Sequence, residues 1–293
     1  MILPRYPIYI PSKGRADKCL TAHLFQREFV PFRLVVEPQE HKAYADAFGD
    51  HCVLRLPFEN LGQGSIPARN WIKAHATAEG HKRHWQVDDN ILFTARRYKG
   101  KNIYCDSGPA YAAVEDFADR YKNVAIAGLN YEMFILKEKY SPPFHLNGRV
   151  YSCSLILNSL PHEWRNVYNE DTDICLQVLA DGWCTILVNA FMVKKMTSML
   201  LAGGNTDELY QGDGRLKMAR SLERLWPGVV TTQRRYGRPQ HVVDWSKFDT
   251  PLQKCADAVD GPGDRYNMAL VQQRDIKSES LRKLKGEWDN EQE

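Results

Sequence analysis

The segment His84-Trp85-Gln86-Val87-Asp88-Asp89-Asn90-Ile91 runs an aromatic and apolar stretch into two consecutive carboxylates and an amide. At the end of a strand, adjacent side chains leave on opposite faces, and the two carboxylates repel. A divalent cation held through Asp88, Asp89 and Asn90 would compensate their charge, because Mn²⁺ and Mg²⁺ favour oxygen ligands and share them with phosphates. The plainer reading is a polar turn in which Asp89 or Asn90 caps the next element. A second acidic group, Glu170-Asp171-Thr172-Asp173, stands just before Ile174, Cys175, Val178 and Leu179, which share one helical face. Negative charge there suits a helix start. It also suits a general base: a carboxylate on a rigid helix end, Glu170, Asp171 or Asp173, can take a proton from an attacking hydroxyl.

Two further segments could hold anions. In Ile10-Pro11-Ser12-Lys13-Gly14-Arg15 an apolar run enters a tight polar turn, where backbone amides and Lys13 or Arg15 could grip a diphosphate. It lacks the spaced glycines and Gly-Lys-Ser/Thr ending of a phosphate-binding P-loop. Gly62-Gln63-Gly64-Ser65-Ile66-Pro67-Ala68-Arg69-Asn70 places glycines that permit close backbone approach ahead of an arginine and an asparagine. Near the other end, Gln233–His241 interleaves Arg234, Arg235, Arg238 and His241 with Tyr236, a combination suited to phosphate contact and base stacking, or to a solvated basic loop. His81 and His84 resemble a metal pair, but no third ligand accompanies them.

The elements that must position these residues read as an α/β pattern. Apolar runs at Tyr9-Ile10, Leu34–Val36, Val53–Leu56, His84–Val87, Val124–Ala127 and Thr185–Val188 alternate with amphipathic stretches, the signature of a mostly parallel sheet flanked by helices. One helix opens at Ser65 with Pro67 in its first turn and stops at Gly80; another opens around Asp171-Thr172 and ends at Gly182. Gly203-Gly204-Asn205 marks a loop, Gln233–Arg238 a basic loop, and the charged chain beyond Gly261 an exposed helix.

With 43% hydrophobic and 26% charged residues, the composition is that of a globular domain, and no apolar run is long enough to span a membrane. The N-terminal residues lack a secretory signal, and seven cysteines without a CxxC pair argue against disulfides and zinc-thiolate sites. Both point to the cytoplasm. A net charge of +3 is too mild to show a nucleic-acid partner by itself.

Taken in order, these segments resemble a family-2-like GT-A glycosyltransferase over residues 7–190. Pro11-Ser12-Lys13-Gly14-Arg15 is similar to its nucleotide loop and Val36-Glu37 to the end of its second strand. Ala68-Arg69-Asn70 is similar to the helix before the metal strand, Val87–Asn90 to the metal-binding DxD element, and Glu170-Asp171 with Asp173 to the catalytic acid motif. Ile8–Arg15, Asn60–Gly64, Trp85–Asn90, Gly203–Asn205 and Arg238–Trp245 narrow the resemblance to the TET-associated glycosyltransferases, thought to put sugars on hydroxymethylated pyrimidines in DNA.

The resemblance implies a GT-A-like, Rossmann-like fold: a catalytic domain over residues 1–200 and a smaller acceptor-facing extension over residues 201–293. It implies a nucleotide-sugar donor, a UDP-sugar first, contacted by Pro11, Ser12, Lys13, Arg15, Glu37, Gly64, Arg69, Asn70 and Asp88. Mn²⁺ or Mg²⁺ would sit at Asp88, Asp89 and Asn90, and an inverting base at Asp171. A DNA acceptor would meet Arg234, Arg235, Arg238 and His241, inside a phage host's cytoplasm if the gene is phage-borne. Asn90 departs from the acid usual at that DxD position; its carbonyl can coordinate but brings no charge. Two alternatives stand: the same fold acting on a glycan or protein, and a non-catalytic DNA-binding module, for which two spaced acidic motifs have no use.

Overall fold

The computed structural model describes residues 2–135, 141–196, 214–235 and 237–258. The Gly203-Gly204-Asn205 loop, Tyr236 and the charged helix expected beyond Gly261 lie outside the described residues. In chain order the main elements are β1 (Ile8–Pro11), α1 (Leu20–Arg27), β2 (Arg33–Val36), α2 (His41–Phe48), β3 (Val53–Arg55) and α3 (Ile66–Ala78). There follow β4 (Arg83–Val87), β5 (Ile91–Tyr98), β6 (Lys101–Cys105), α4 (Ser107–Asp119), β7 (Val124–Tyr131), β8 (Phe144–Leu146) and β9 (Cys153–Leu157). The last are α5 (Glu170–Ala180), β10 (Cys184–Lys195), α6 (Gly214–Leu225), β11 (Val230–Arg235) and β12 (Arg238–Val243).

One ten-stranded sheet forms the centre, in the order β3-β2-β1-β4-β9-β7-β10-β5-β6, with β8 alongside β10. Strands β3, β2, β1 and β4 pair in parallel, as do β7 and β10. Antiparallel β9 sits between β4 and β7, and β5 and β8 run antiparallel to β10. The fold is therefore the mixed α/β architecture with a mostly parallel sheet and flanking helices that the alternation predicts. From β1 the chain builds outward through β2 and β3, then returns to lay β4 on the other side of β1. Ligands of open α/β sheets sit outside the carboxyl ends of the strands where the order reverses, which here means beyond Pro11 and Val87.

Burial explains the rigidity of that edge. All five residues of β4 are buried, and Trp85, packed against Tyr111, donates its indole N–H to Glu115 at 2.8 Å. At Gly128 a Cβ would lie 2.2 Å from the Cys153 carbonyl, so glycine alone lets β7 approach β9.

Residues 214–258 belong to the same compact unit as the sheet. Leu222 of α6 and Val230 of β11 are buried against Leu176 of α5, with Trp226, Trp245 and Phe248 around them. The tract expected as a basic loop is instead a hairpin: β11 pairs with β12 from Val230↔Val243 to Arg235↔Arg238. The charges of Gln233–Arg238 hide the alternation of Val230, Thr232, His241 and Val243 that makes it a ribbon. No described helix is long and apolar enough to cross a membrane. All seven cysteines are free thiols, and Cys175 and Cys184 are buried as small apolar groups.

Candidate active site

The cleft at the switch point has a volume of about 500 Å³. Beyond the end of β4 at Val87, Asp88 and a turn at Asp89-Asn90 lie at the cleft floor, with the two carboxylates differently placed. Asp89 turns inward: its carboxylate is buried, accepting from Arg15 Nη1 at 2.8 Å and from the Ser12 hydroxyl at 2.7 Å. Arg15 and Ser12 are thereby tied to β4. Asp88 faces the cleft. One of its oxygens takes Arg69 Nη2 at 3.3 Å, and the other takes Ser152 Oγ at 2.6 Å and Lys195 Nζ at 2.6 Å. Burial opposes ionisation of Asp88, but Lys195 and Arg69 outweigh it and hold the carboxyl down at about 2. Asn90 donates its side-chain amide to the Met196 carbonyl at 3.1 Å, stitching the end of β4 to the end of β10.

The second acidic group opens α5. Asn169, in the left-handed region at φ 57°, precedes it and donates its amide to the Met218 carbonyl of α6 at 2.9 Å, which fixes the direction of the first turn. Glu170 and Asp171 then enter the cleft on either side of Arg69, whose guanidinium lies 3.9 Å from Glu170 Oε1 and 3.8 Å from Asp171 Oδ1. Arg69 also donates to Gln86 at 3.2 Å, so this buried arginine joins both acidic motifs. Glu170 accepts the Ser65 hydroxyl at 3.0 Å. Burial, then the charge of Asp171, pushes the Glu170 carboxyl up to about 7. Burial likewise raises Asp171, against the pull of Arg69. Among the described residues Asp171 engages only in this looser ion pair, leaving its oxygens open to the cleft.

Asp173 does not join them. It is fully buried behind the helix start, with its oxygens taken by Arg165, Gln177 and the Trp226 indole N–H. Asn70 also stays out of the cleft, exchanging hydrogen bonds of 2.8 and 2.9 Å with the Trp164 backbone. The remaining donor-side candidates do line it: Pro11, Ser12, Lys13, Arg15, Glu37, Gly64, Arg69 and Asp88. Lys13 sits 3.1 Å from Glu37, and the loop opposite needs the positive φ of Gly62 (66°) and Gly64 (61°) to wrap over them. Of the basic tract only His241 lines the cleft; Arg234, Arg235 and Arg238 are exposed on the hairpin beyond.

Sequence reasoning missed Lys195, Arg149, Tyr151 and Ser152, all of which line the cleft. Arg149 stacks over the Tyr151 ring, 4.5 Å from its centroid. None carries a local motif. Lys195 reaches the site because β10 shifts register against β5 between Lys194 and Lys195, and a bulge of this kind re-aims side chains.

These contacts bear on the metal expected at Asp88–Asn90. Asp88 is already matched by two cations and Asp89 by Arg15; of the three side chains only Asn90 keeps an oxygen, Oδ1, without a partner. Among the described residues no group of three His, Cys, Asp or Glu side chains is arranged for a metal ion. A dication on Asp88 would press against the Lys195 ammonium. The residues as placed do not fit it.

The cleft, with a cation-lined floor and an open carboxylate at a helix start, thus lies at the carboxyl edge of a GT-A-like, mostly parallel sheet. A family model described as TET-Associated Glycosyltransferase matches residues 6–204, and the chain belongs to that family. It is a glycosyltransferase. No curated protein matches the chain by sequence. Among solved structures, a protein from Desulfovibrio desulfuricans G20, provisionally described as a nucleotide-diphospho-sugar transferase, aligns over 64% of this chain and 80% of its own. Identity there is 9% and the TM-score 0.34, too loose a likeness to bear on the chemistry.

Proposed function

We propose that this enzyme moves a sugar from a nucleotide sugar, a UDP-sugar first, to the hydroxyl of a hydroxymethylated pyrimidine in DNA. The observation that carries the reading is Asp171, a carboxylate open to a cleft that His241, on the basic hairpin, also lines. The acceptor oxygen attacks the anomeric carbon, its proton passes to Asp171, and the bond to the diphosphate breaks with its electron pair leaving on the phosphate oxygen. This implies inversion. Glu170, raised to about 7, is partly protonated near neutrality and so lessens the negative charge beside Asp171. Lys13 and the Gly62–Ser65 loop serve the diphosphate, and Glu37 lies toward the nucleoside. Arg69 acts by holding the acids in place, since each of its three nitrogens already donates to Ser65, Gln86 or Asp88.

Exposed Arg234, Arg235 and Arg238 would track the DNA backbone while His241 and Tyr151 meet the presented base. The free cysteines suit a cytoplasmic site of action. Incubation with hydroxymethylcytosine DNA and a panel of nucleotide sugars, followed by digestion and mass measurement of the nucleosides, tests the reading. A nucleoside heavier by one sugar is expected. Unmodified DNA, with sugar moved instead to a glycan or protein acceptor, would replace the acceptor while keeping the reaction class.

A further inference from the structure

Two lysines end β10, and the bulge between them sends them apart. Lys194 pairs with Glu132 at 3.6 Å, whereas Lys195 turns to the cleft floor. Its ammonium lies 2.6 Å from Asp88 Oδ2, 2.9 Å from Ser152 Oγ and 3.3 Å from the Tyr131 hydroxyl. The Lys195 side chain is only 16% exposed, so the charge is largely stripped of water yet borders the space a ligand would fill. Around the switch point Asp88 and Asp89 already face Arg15, Arg69 and Lys195. A dication held by Asp88 would lie against the Lys195 ammonium, which already sits 2.6 Å from one of its oxygens.

We propose that Lys195 takes the place of the divalent cation: anchored by Asp88, its ammonium binds the diphosphate of the nucleotide sugar and stabilises the charge that develops as it leaves. This rests on the nucleotide-sugar reading above. The Tyr131 contact is the longest of the three, so that N–H is the one free to turn to a phosphate oxygen. As the anomeric C–O bond breaks, its electron pair goes to that oxygen; Lys195 keeps its proton and contributes a fixed positive charge in a water-poor site. Asp88 then serves as the anchor of the ammonium, which accounts for an acid that faces the cleft with both oxygens occupied. The uncharged Asn90 fits the same scheme, because its amide is used to tie β4 to β10 next to the lysine.

Calorimetric titration of the full chain, stripped of metal and held in EDTA, with inorganic pyrophosphate and separately with UDP, tests this. Pyrophosphate should bind the wild type in EDTA, with a Kd that added Mn²⁺ leaves nearly unchanged. Lys195→Met should weaken it roughly tenfold or more, the scale of hydrogen bonds to charged groups, and Lys195→Arg should retain most of it. Binding by the wild type only after Mn²⁺ is added overturns the proposal, as does unchanged binding by Lys195→Met in EDTA. Should Lys195→Met fail to fold by circular dichroism, the wild-type metal comparison and the Lys195→Arg titration still decide. If pyrophosphate behaves as expected and UDP does not bind, the lysine site stands and the uridine donor falls.

Discussion

Glu170 and Asp171 are neighbours with different surroundings. Glu170 accepts the Ser65 hydroxyl, while Asp171 makes no hydrogen bond within the described residues and lines the cleft. General-base catalysis contributes about 10²–10⁴-fold, so Asp171→Asn should lower kcat roughly a hundredfold or more. Its melting temperature and donor Kd should hold, since among the described residues Asp171 is held only by a 3.8 Å ion pair with Arg69. Asp173→Asn should keep kcat, because that carboxylate serves Arg165 and Trp226. Steady-state kinetics on both variants checks the assignment, and a dead Asp173→Asn beside an active Asp171→Asn would reverse it. The pair also sets a pH dependence of stability. The folded-state value of Glu170, about 7, lies above its usual 4.5, so the folded protein keeps a proton that the unfolded chain releases in that window. Stability from this group is full below pH 4.5 and is lost as pH rises through about 7. Asp88, depressed from 3.8 to about 2, acts in the opposite sense at lower pH, while Asp171, also raised by burial, acts in the same sense as Glu170. Melting curves from pH 5 to 8 should therefore decline more in wild type than in Glu170→Gln; parallel curves would show that Glu170 is ionised throughout.

At the scale of elements, the β11–β12 hairpin joins the cleft to the surface. By strand alternation Arg234 shares a face with Thr232 and with His241, which pairs across from Thr232. Arg235 and Arg238 lie opposite one another on the other face, next to the turn. The ribbon thus presents arginine on both faces beyond a histidine that lines the cleft, a shape suited to a backbone running past the site. Replacing Arg234, Arg235 and Arg238 together by alanine should weaken duplex DNA binding and flatten its salt dependence, by about 0.9 in log–log slope for each phosphate these arginines neutralise. Donor hydrolysis without DNA should survive. Fluorescence anisotropy across a salt series measures the slope; an unchanged slope would place the acceptor groove elsewhere.

For the whole molecule the question is whether residues 214–258 fold with the sheet. Leu222 is fully buried against Leu176 of α5, and α6 holds Asn169 at the catalytic helix start. Leu222→Ala should cost about 2–5 kcal/mol and lower the midpoint of one cooperative transition. Far-ultraviolet circular dichroism and tryptophan fluorescence, which reads Trp226 and Trp245 in this cluster, should then report the same midpoint. Two separate midpoints would mark an independent module, as a domain boundary near residue 200 implies.

The sequence by itself determined the strands of the parallel half, the helices opening at Ser65 and at the Glu170–Asp173 group, and the two acidic motifs. These depend on local pattern: short apolar runs for strands, and charge with turn residues for helix starts. It did not determine β9, whose Cys153-Ser-Leu-Ile-Leu run is too short and apolar to tell from a helix segment, nor the hairpin behind its arginines. Only the tertiary structure decided which acids are available for chemistry. Asp88 and Asp89 are equivalent on paper, yet the turn after β4 gives one to Lys195 and Arg69 and the other to Arg15. Asp171 and Asp173 stand two residues apart, yet Trp226, just beyond α6, claims only the second. Lys195 lies more than a hundred residues from Asp88 and reaches it through the register shift at the end of β10. No local pattern encodes that contact, because it depends on two strands, β4 and β10, ending on the same edge of one sheet.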